Sequence, residues 1–99
     1  MAQNKVTWTT TARVQIGKII EYISQDSIQN DEKVYTKIMV KLLKVADNPG
    51  MCPPDKFKRS NNGKYRALII LHYRISYRIE DVGITILRVR HSSMKPKYY

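Results

Sequence analysis

The sequence predicts an α+β domain of order β-α-α-β-β-β, with an N-terminal helical hairpin packed on one face of a small antiparallel sheet. Three observations carry that prediction. The apolar period is helical from Ala12 to Val45 and alternating from Tyr65 to His91. A proline- and glycine-rich segment separates the two regimes. The alternating runs are joined by connections too short for a parallel crossover. With 99 residues the chain is read as a single domain, 1–99.

The elements follow in order. "KVTWT" at residues 5–9 is β-branched and aromatic and reads as a strand. One of Thr9, Thr10 and Thr11 can then cap a helix. Ala12, Ile16, Ile19, Ile20 and Ile23 form one stripe of that helix, with Arg13, Lys18 and Glu21 off it. "SQDSIQND" breaks the pattern, and Asp31 is the expected cap of a second helix. Val34, Ile38, Leu42 and Val45 are its inner stripe, widened by Tyr35, Met39 and Leu43. Pro49 stops it, because proline clashes with a continuing helix. Residues 48–64, "NPGMCPPDKFKRSNNGK", are irregular and basic, as functional loops often are. "YRALII", "YRISYRIE" and "ITILRVRH" are the three strands of a meander. The first turn falls near Leu71-His72, poor turn residues, which leaves Ile69, Ile70 and Leu71 partly exposed.

The last hairpin fixes where the arginines point. Tyr73, Ile75, Tyr77 and Ile79 alternate with Arg74, Ser76, Arg78 and Glu80, so the first set faces the helices. A loop of two or four residues would place Ile75 opposite Arg88 and bury a guanidinium, at a cost of several kcal/mol. A three-residue loop, Asp81-Val82-Gly83 with glycine in the left-handed conformation, instead sets Ile75 against Val89 and Tyr77 against Leu87. Arg74, Arg78, Arg88 and Arg90 then share the face away from the helices, Arg74 opposite Arg90. Like charges in register destabilise a sheet by about 0.2–1 kcal/mol per pair, which an anion would relieve. Arginine suits phosphate or carboxylate. The same register sets His91 against Tyr73 at the sheet end. The tail "SSMKPKYY" adds Lys95, Lys97, Tyr98 and Tyr99 to the basic face. If the tail is used, deleting residues 95–99 is expected to impair toxicity while leaving the fold intact.

Composition narrows the class of function. Lysine and arginine number 18 against 8 acidic residues, a net charge of +10. The excess is uneven: residues 1–48 carry +2 and residues 49–99 carry +8. Such a domain attracts polyanions or an acidic protein surface. The single cysteine, Cys52, permits no intramolecular disulfide. There is no apolar leader and no run long enough to span a membrane, so the cytoplasm is the expected location. His, Cys, Asp and Glu show no metal-ligand spacing and there is no phosphate-binding glycine loop, so no metal or cofactor is expected.

"TTARVQIGKIIEYI", "NPG" and "YRALIILHYRISYRIEDVGITILRVRH", in that order, resemble the RelE/ParE toxins of bacterial type II toxin–antitoxin systems. The resemblance covers nearly the whole chain and implies two helices on an antiparallel sheet, a two-gene operon, and an acidic or amphipathic antitoxin that wraps and silences the toxin. RelE-like members cut mRNA on the ribosome without metal. The substrate's 2′-hydroxyl attacks the neighbouring phosphate, and the protein supplies a base, an acid and cations. Carried over by position, Arg74 falls on the arginine of the "YR" motif, Arg66 near a basic strand position and Tyr98 near a C-terminal tyrosine. The basic residue after RelE's last strand has no counterpart, since Ser92 and Ser93 stand there. ParE-like members inhibit DNA gyrase by binding, and "RVRH" resembles the "VLH"-like end of their last strand more closely.

Three functions therefore compete. A binding toxin would engage gyrase through Arg74, Arg78, Arg88, Arg90, Lys95 and Lys97. A metal-independent, ribosome-dependent mRNA endonuclease would use Arg66, Arg74, Arg88, His91 and Tyr98. A plain nucleic-acid-binding domain would show affinity that falls steeply with salt.

Overall fold

The computed structural model describes residues 4–25, 28–95 and 97–99, with the backbone alone at 28–31. Strand β1 (Lys5–Trp8) leads into helices α1 (Thr10–Ser24) and α2 (Ile28–Asp47). A 3₁₀ turn at Pro49–Met51 follows, then strands β2 (Tyr65–Ile70), β3 (Tyr73–Glu80) and β4 (Gly83–His91). The four strands lie in the order β1-β4-β3-β2. The three C-terminal strands form the expected antiparallel meander, and β1 joins them in parallel along β4, Lys5 opposite Gly83 and Trp8 opposite Ile86.

Thr9 fastens the helices to the sheet. It is the N-cap of α1, its hydroxyl oxygen accepting from the Ala12 amide at 3.1 Å. The same hydroxyl donates to the Leu87 carbonyl at 3.1 Å. Ala12 of α1 and Ile38, Leu42 and Val45 of α2 are buried against Ile75, Tyr77, Ile84, Ile86 and Val89 of the sheet; the α2 stripe is as predicted, while in α1 Ile16 and Ile19 are only partly buried against the core and Ile20 and Ile23 lie outside it. Helix α2 begins at Ile28, so Asp31 lies inside it and does not cap it. Tyr35 and Leu43 stay about half exposed, at 47% and 55%, so the inner stripe is narrower than the sequence suggests. Tyr77 is fully buried, and its hydroxyl finds the Pro49 carbonyl at 2.7 Å, which ties the end of α2 to the sheet.

The last hairpin corrects the loop length. The turn is two residues, Asp81-Val82, with Glu80 opposite Gly83, Ile79 opposite Ile84 and Tyr77 opposite Ile86. A β-bulge at Leu87 then shifts the register, and Ser76 faces Arg88, Ile75 faces Val89, Arg74 faces Arg90 and Tyr73 faces His91. The extra residue lets the apolar pairs of the two-residue loop and the outward arginines of the three-residue loop coexist. Gly83 has φ +100, and a Cβ there would overlap the backbone of Lys5, so glycine is what admits β1 beside β4.

The 52–64 segment is an edge cover. The Asp55 amide donates to the Tyr65 carbonyl at 2.9 Å and the Ala67 amide to Pro53 at 3.2 Å, which closes the first half of the β2 edge. Asn61 holds the loop by donating to the carbonyls of Tyr65 and Asp55 while accepting from the Gly63 amide. Leu71 turns the β2–β3 hairpin at φ 56, a left-handed conformation that costs an ordinary side chain about 1–2 kcal/mol. Ile69 and Leu71 are exposed there, as expected, while Ile70 packs on the core.

Candidate functional site: a cationic sheet face closed by the C-terminus

Strands β3 and β4 turn Arg74, Arg78, Arg88 and Arg90 to the face opposite the buried Ile75, Tyr77 and Val89. Their partners differ. Arg74 bonds Asp55 at 2.7 Å, and that carboxylate is wholly enclosed. Arg78 pairs with Glu80 at 2.7 Å toward the other end of the strand, where both side chains are over a third exposed. Arg88 and Arg90 meet no carboxylate among the described residues. Arg88 lies 4.1 Å from the centre of the Tyr99 ring and reaches Ser76 Oγ at 3.5 Å, while Arg90 donates to the Lys95 carbonyl at 3.3 Å.

The neutralising anion is therefore partly internal. Asp55 accepts from Arg74 and from the Phe57 amide on one oxygen, at 2.7 and 3.0 Å, and from the Tyr99 hydroxyl on the other at 2.6 Å. Burial alone would raise its pKa. The bonds from Tyr99, Arg74 and the Phe57 amide outweigh that and hold the carboxyl below its ordinary 3.8. Tyr99 is pushed up by burial and by its bond to Asp55. Burial lowers Arg88, with the Arg90 and Arg74 charges adding to the effect.

The tail is thus a built part of this face. The Tyr99 amide donates to the Phe57 carbonyl at 3.0 Å, and the Arg59 amide donates to the Tyr99 carbonyl at 2.7 Å. Through Tyr99 the end of the tail is packed against Asp55 and the 57–59 loop rather than free to stack on a partner. Tyr98 is 57% exposed and meets Phe57 edge to face at 5.4 Å. Lys95 and Lys97 are exposed. Lys97 joins Lys56, Arg74, Arg88 and Arg90 around a groove of about 250 Å³ floored by Phe57, Ile69 and Met94.

Three of the nuclease candidates, Arg74, Arg88 and His91, line this groove, while Arg66 and Tyr98 are not among its lining. Arg66 stands opposite Tyr77 in the β2–β3 register, on the other side of the sheet from Arg74. Its guanidinium is spent on the carbonyls of Gly63 and Cys52, at 2.9 and 2.8 Å, and clamps the loop to β2. His91 stands opposite Tyr73 and lines the groove beside Arg90. Its Nδ1 lies 2.6 Å from Ser93 Oγ, and its ring stacks on His72 with centroids 6.0 Å apart. Sequence reasoning missed Asp55 and the inward role of Tyr99. Only Asp55, Glu80 and Asp81 are acidic between residues 49 and 99, and that scarcity was the available signal.

Comparisons with known proteins agree with this architecture. The family model described as "ParE toxin of type II toxin-antitoxin system, parDE" matches residues 6–96. A solved structure titled "Chromosomal ParDE TA system from P. aeruginosa" superposes with a TM-score of 0.69 at 18% identity, over 90% of this chain and 96% of that one, a likeness of fold. No curated protein matches the sequence. With the family match running through both helices and all four strands, this chain belongs to the ParE toxin family of type II toxin–antitoxin systems.

Proposed function

We propose that this toxin arrests growth by binding an essential machine, DNA gyrase, in the cytoplasm, through its cationic sheet face and C-terminal tail, and that it does not cut RNA. The observation that carries the reading is the pair Arg88 and Arg90, side by side on the open face without a carboxylate partner among the described residues. Together with the exposed Lys56 and Lys97 they offer a set of cationic donors to phosphate or carboxylate. Cleavage needs a base, an acid and cations converging on one phosphate. Arg66 lies across the sheet, Arg74 is engaged by Asp55, and Tyr98, edge-on to Phe57, does not line the groove that holds Arg74, Arg88 and His91.

Supercoiling by purified gyrase and integrity of translating mRNA on ribosomes separate the readings. The expected result is inhibited supercoiling with intact mRNA, and inhibition weakened at least about tenfold in Arg88→Ala/Arg90→Ala. His91, lining one groove with Arg74 and Arg88, supports the endonuclease as the second reading. Ribosome-dependent cuts that disappear in His91→Ala would replace the binding mechanism with it.

A further inference from the structure

We infer that Asp55 sets the specificity of the cationic face: it withholds Arg74 from polyanions in general and, through Tyr99, holds the guanidinium of Arg88 in place for one partner of matching shape. The inference rests on the proposal that this face binds the target, and two of its tests do not depend on which machine that is. Three bonds to the Asp55 carboxylate lead to two arginines. Arg74 donates to one oxygen at 2.7 Å. The Phe57 amide donates to the same oxygen at 3.0 Å, and the centre of the Phe57 ring lies 4.7 Å from the Arg74 guanidinium carbon. The Tyr99 hydroxyl donates to the other oxygen at 2.6 Å, and the centre of the Tyr99 ring lies 4.1 Å from the Arg88 guanidinium carbon. One buried carboxylate thus fastens two aromatic residues, and each ring carries an arginine. Ser76, fully buried between Arg74 and Arg78 on β3, accepts from Arg88 Nε at 3.5 Å and completes the seat.

This arrangement divides the arginines by what they can meet. The charge of Arg74 is answered inside the protein, and its side chain is only 18% exposed, so a passing polyanion gains little from it. Arg88 has a ring against it and no carboxylate partner among the described residues. A guanidinium seated in this way gives up less freedom when an anion arrives, which favours a partner that puts its anion at that spot. An internal carboxylate on a chain of +10 also weakens attraction to every other polyanion, and discrimination is the difference between the two effects. The carboxylate is not needed merely to hold the loop. Arg66 donates to the Cys52 carbonyl at 2.8 Å, Asn61 to the Tyr65 carbonyl at 2.7 Å, and the Asp55 amide to the Tyr65 carbonyl at 2.9 Å. All three bonds survive in Asp55→Asn, so that variant keeps the loop on the sheet while releasing Arg74.

Three measurements on the whole chain test this, at a temperature where circular dichroism shows each variant folded. They are affinity for a duplex DNA of arbitrary sequence as a function of salt, the Arg88 Nε–H resonance, which the Tyr99 ring displaces, and inhibition of gyrase. In Asp55→Asn the duplex should bind more tightly, with a salt slope steeper by about one phosphate contact. Its Arg88 resonance should move toward that of a free arginine, and gyrase inhibition should fall at least about tenfold. Lost stability alone would lower both activities together, so the opposite signs mark positioning. Tyr99→Leu removes the ring but leaves Arg74 paired, so inhibition should fall with the salt slope unchanged. Tyr99→Phe keeps the ring and should keep the parent's Arg88 resonance. A folded Asp55→Asn with the parent's salt slope and Arg88 resonance would overturn the inference. If that variant does not fold, the two Tyr99 variants decide: the same Arg88 resonance in Leu and Phe would overturn it. If the parent fails to inhibit gyrase, the target assignment falls, while a steeper slope and a displaced Arg88 resonance in Asp55→Asn still support the role of Asp55.

Discussion

Asp55 decides the chemistry of the cationic face at the scale of single residues. The sequence places it in "PPDKF", a context without periodicity, so nothing local marks it as a partner of Arg74. Once buried, its carboxylate must be met on both oxygens, and Arg74, the Phe57 amide and Tyr99 meet it. Its native pKa lies below the ordinary 3.8, so its contribution to stability is complete above about pH 4 and is withdrawn as the pH falls further. Asp55→Asn is therefore expected to be less stable than the parent at neutral pH. The gap should close below about pH 4, measured by urea unfolding at a series of pH values. Parallel curves for the two proteins down to acid would mean that the charge of Asp55 contributes nothing. Tyr99 shows the same limit of local reasoning. Two terminal tyrosines beside two lysines read as a free stacking tail, yet Tyr99 turns inward under Arg88.

At the scale of elements, the pattern of apolar residues specified the helices and the three long strands well. Two of its details failed where one backbone position mattered. Periodicity cannot reveal a bulge, because inserting Leu87 leaves both halves of β4 perfectly alternating and changes only how they join. The start of α2 was placed late because Asp31 is a good cap by type, and the helix had already begun at Ile28. Gly83 is the position on which β1 depends. Gly83→Ala combines a left-handed backbone with overlap against Lys5, and is expected to cost more than about 1–2 kcal/mol. Hydrogen exchange should show the loss concentrated in the amides of Lys5–Trp8, with the β2–β3 pairing still protected. Uniform loss of protection across all four strands would show that β1 is no separate weak element.

At the scale of the whole molecule, the distribution of charge governs association. Within the +8 carried by residues 49–99, Asp55 and Glu80 offset Arg74 and Arg78, while Arg88, Arg90, Lys56 and Lys97 line one groove without an acidic side chain. Capture of an acidic partner on that face should be fast at low ionic strength and slow several-fold between about 50 and 300 mM salt. Dissociation should change much less, because short-range contacts in a formed complex are little affected by screening. Stopped-flow mixing of toxin and antitoxin across that range reads both rates, and a salt-independent association rate would count against electrostatic capture. The sequence by itself determined the order of elements, the inner stripe of α2, the alternation within each strand and the resemblance to RelE/ParE toxins, since these are written along the chain; that the arginines of β3 and β4 share one face also needed the bulge at Leu87. Only the tertiary structure decided which of those arginines remain unneutralised, that Arg66 clamps a loop across the sheet, that β1 runs parallel to β4, and that the tail closes over Asp55. Each of those depends on residues tens of positions apart being brought into contact, and the interactions that join them are set by packing, which leaves no period in the chain.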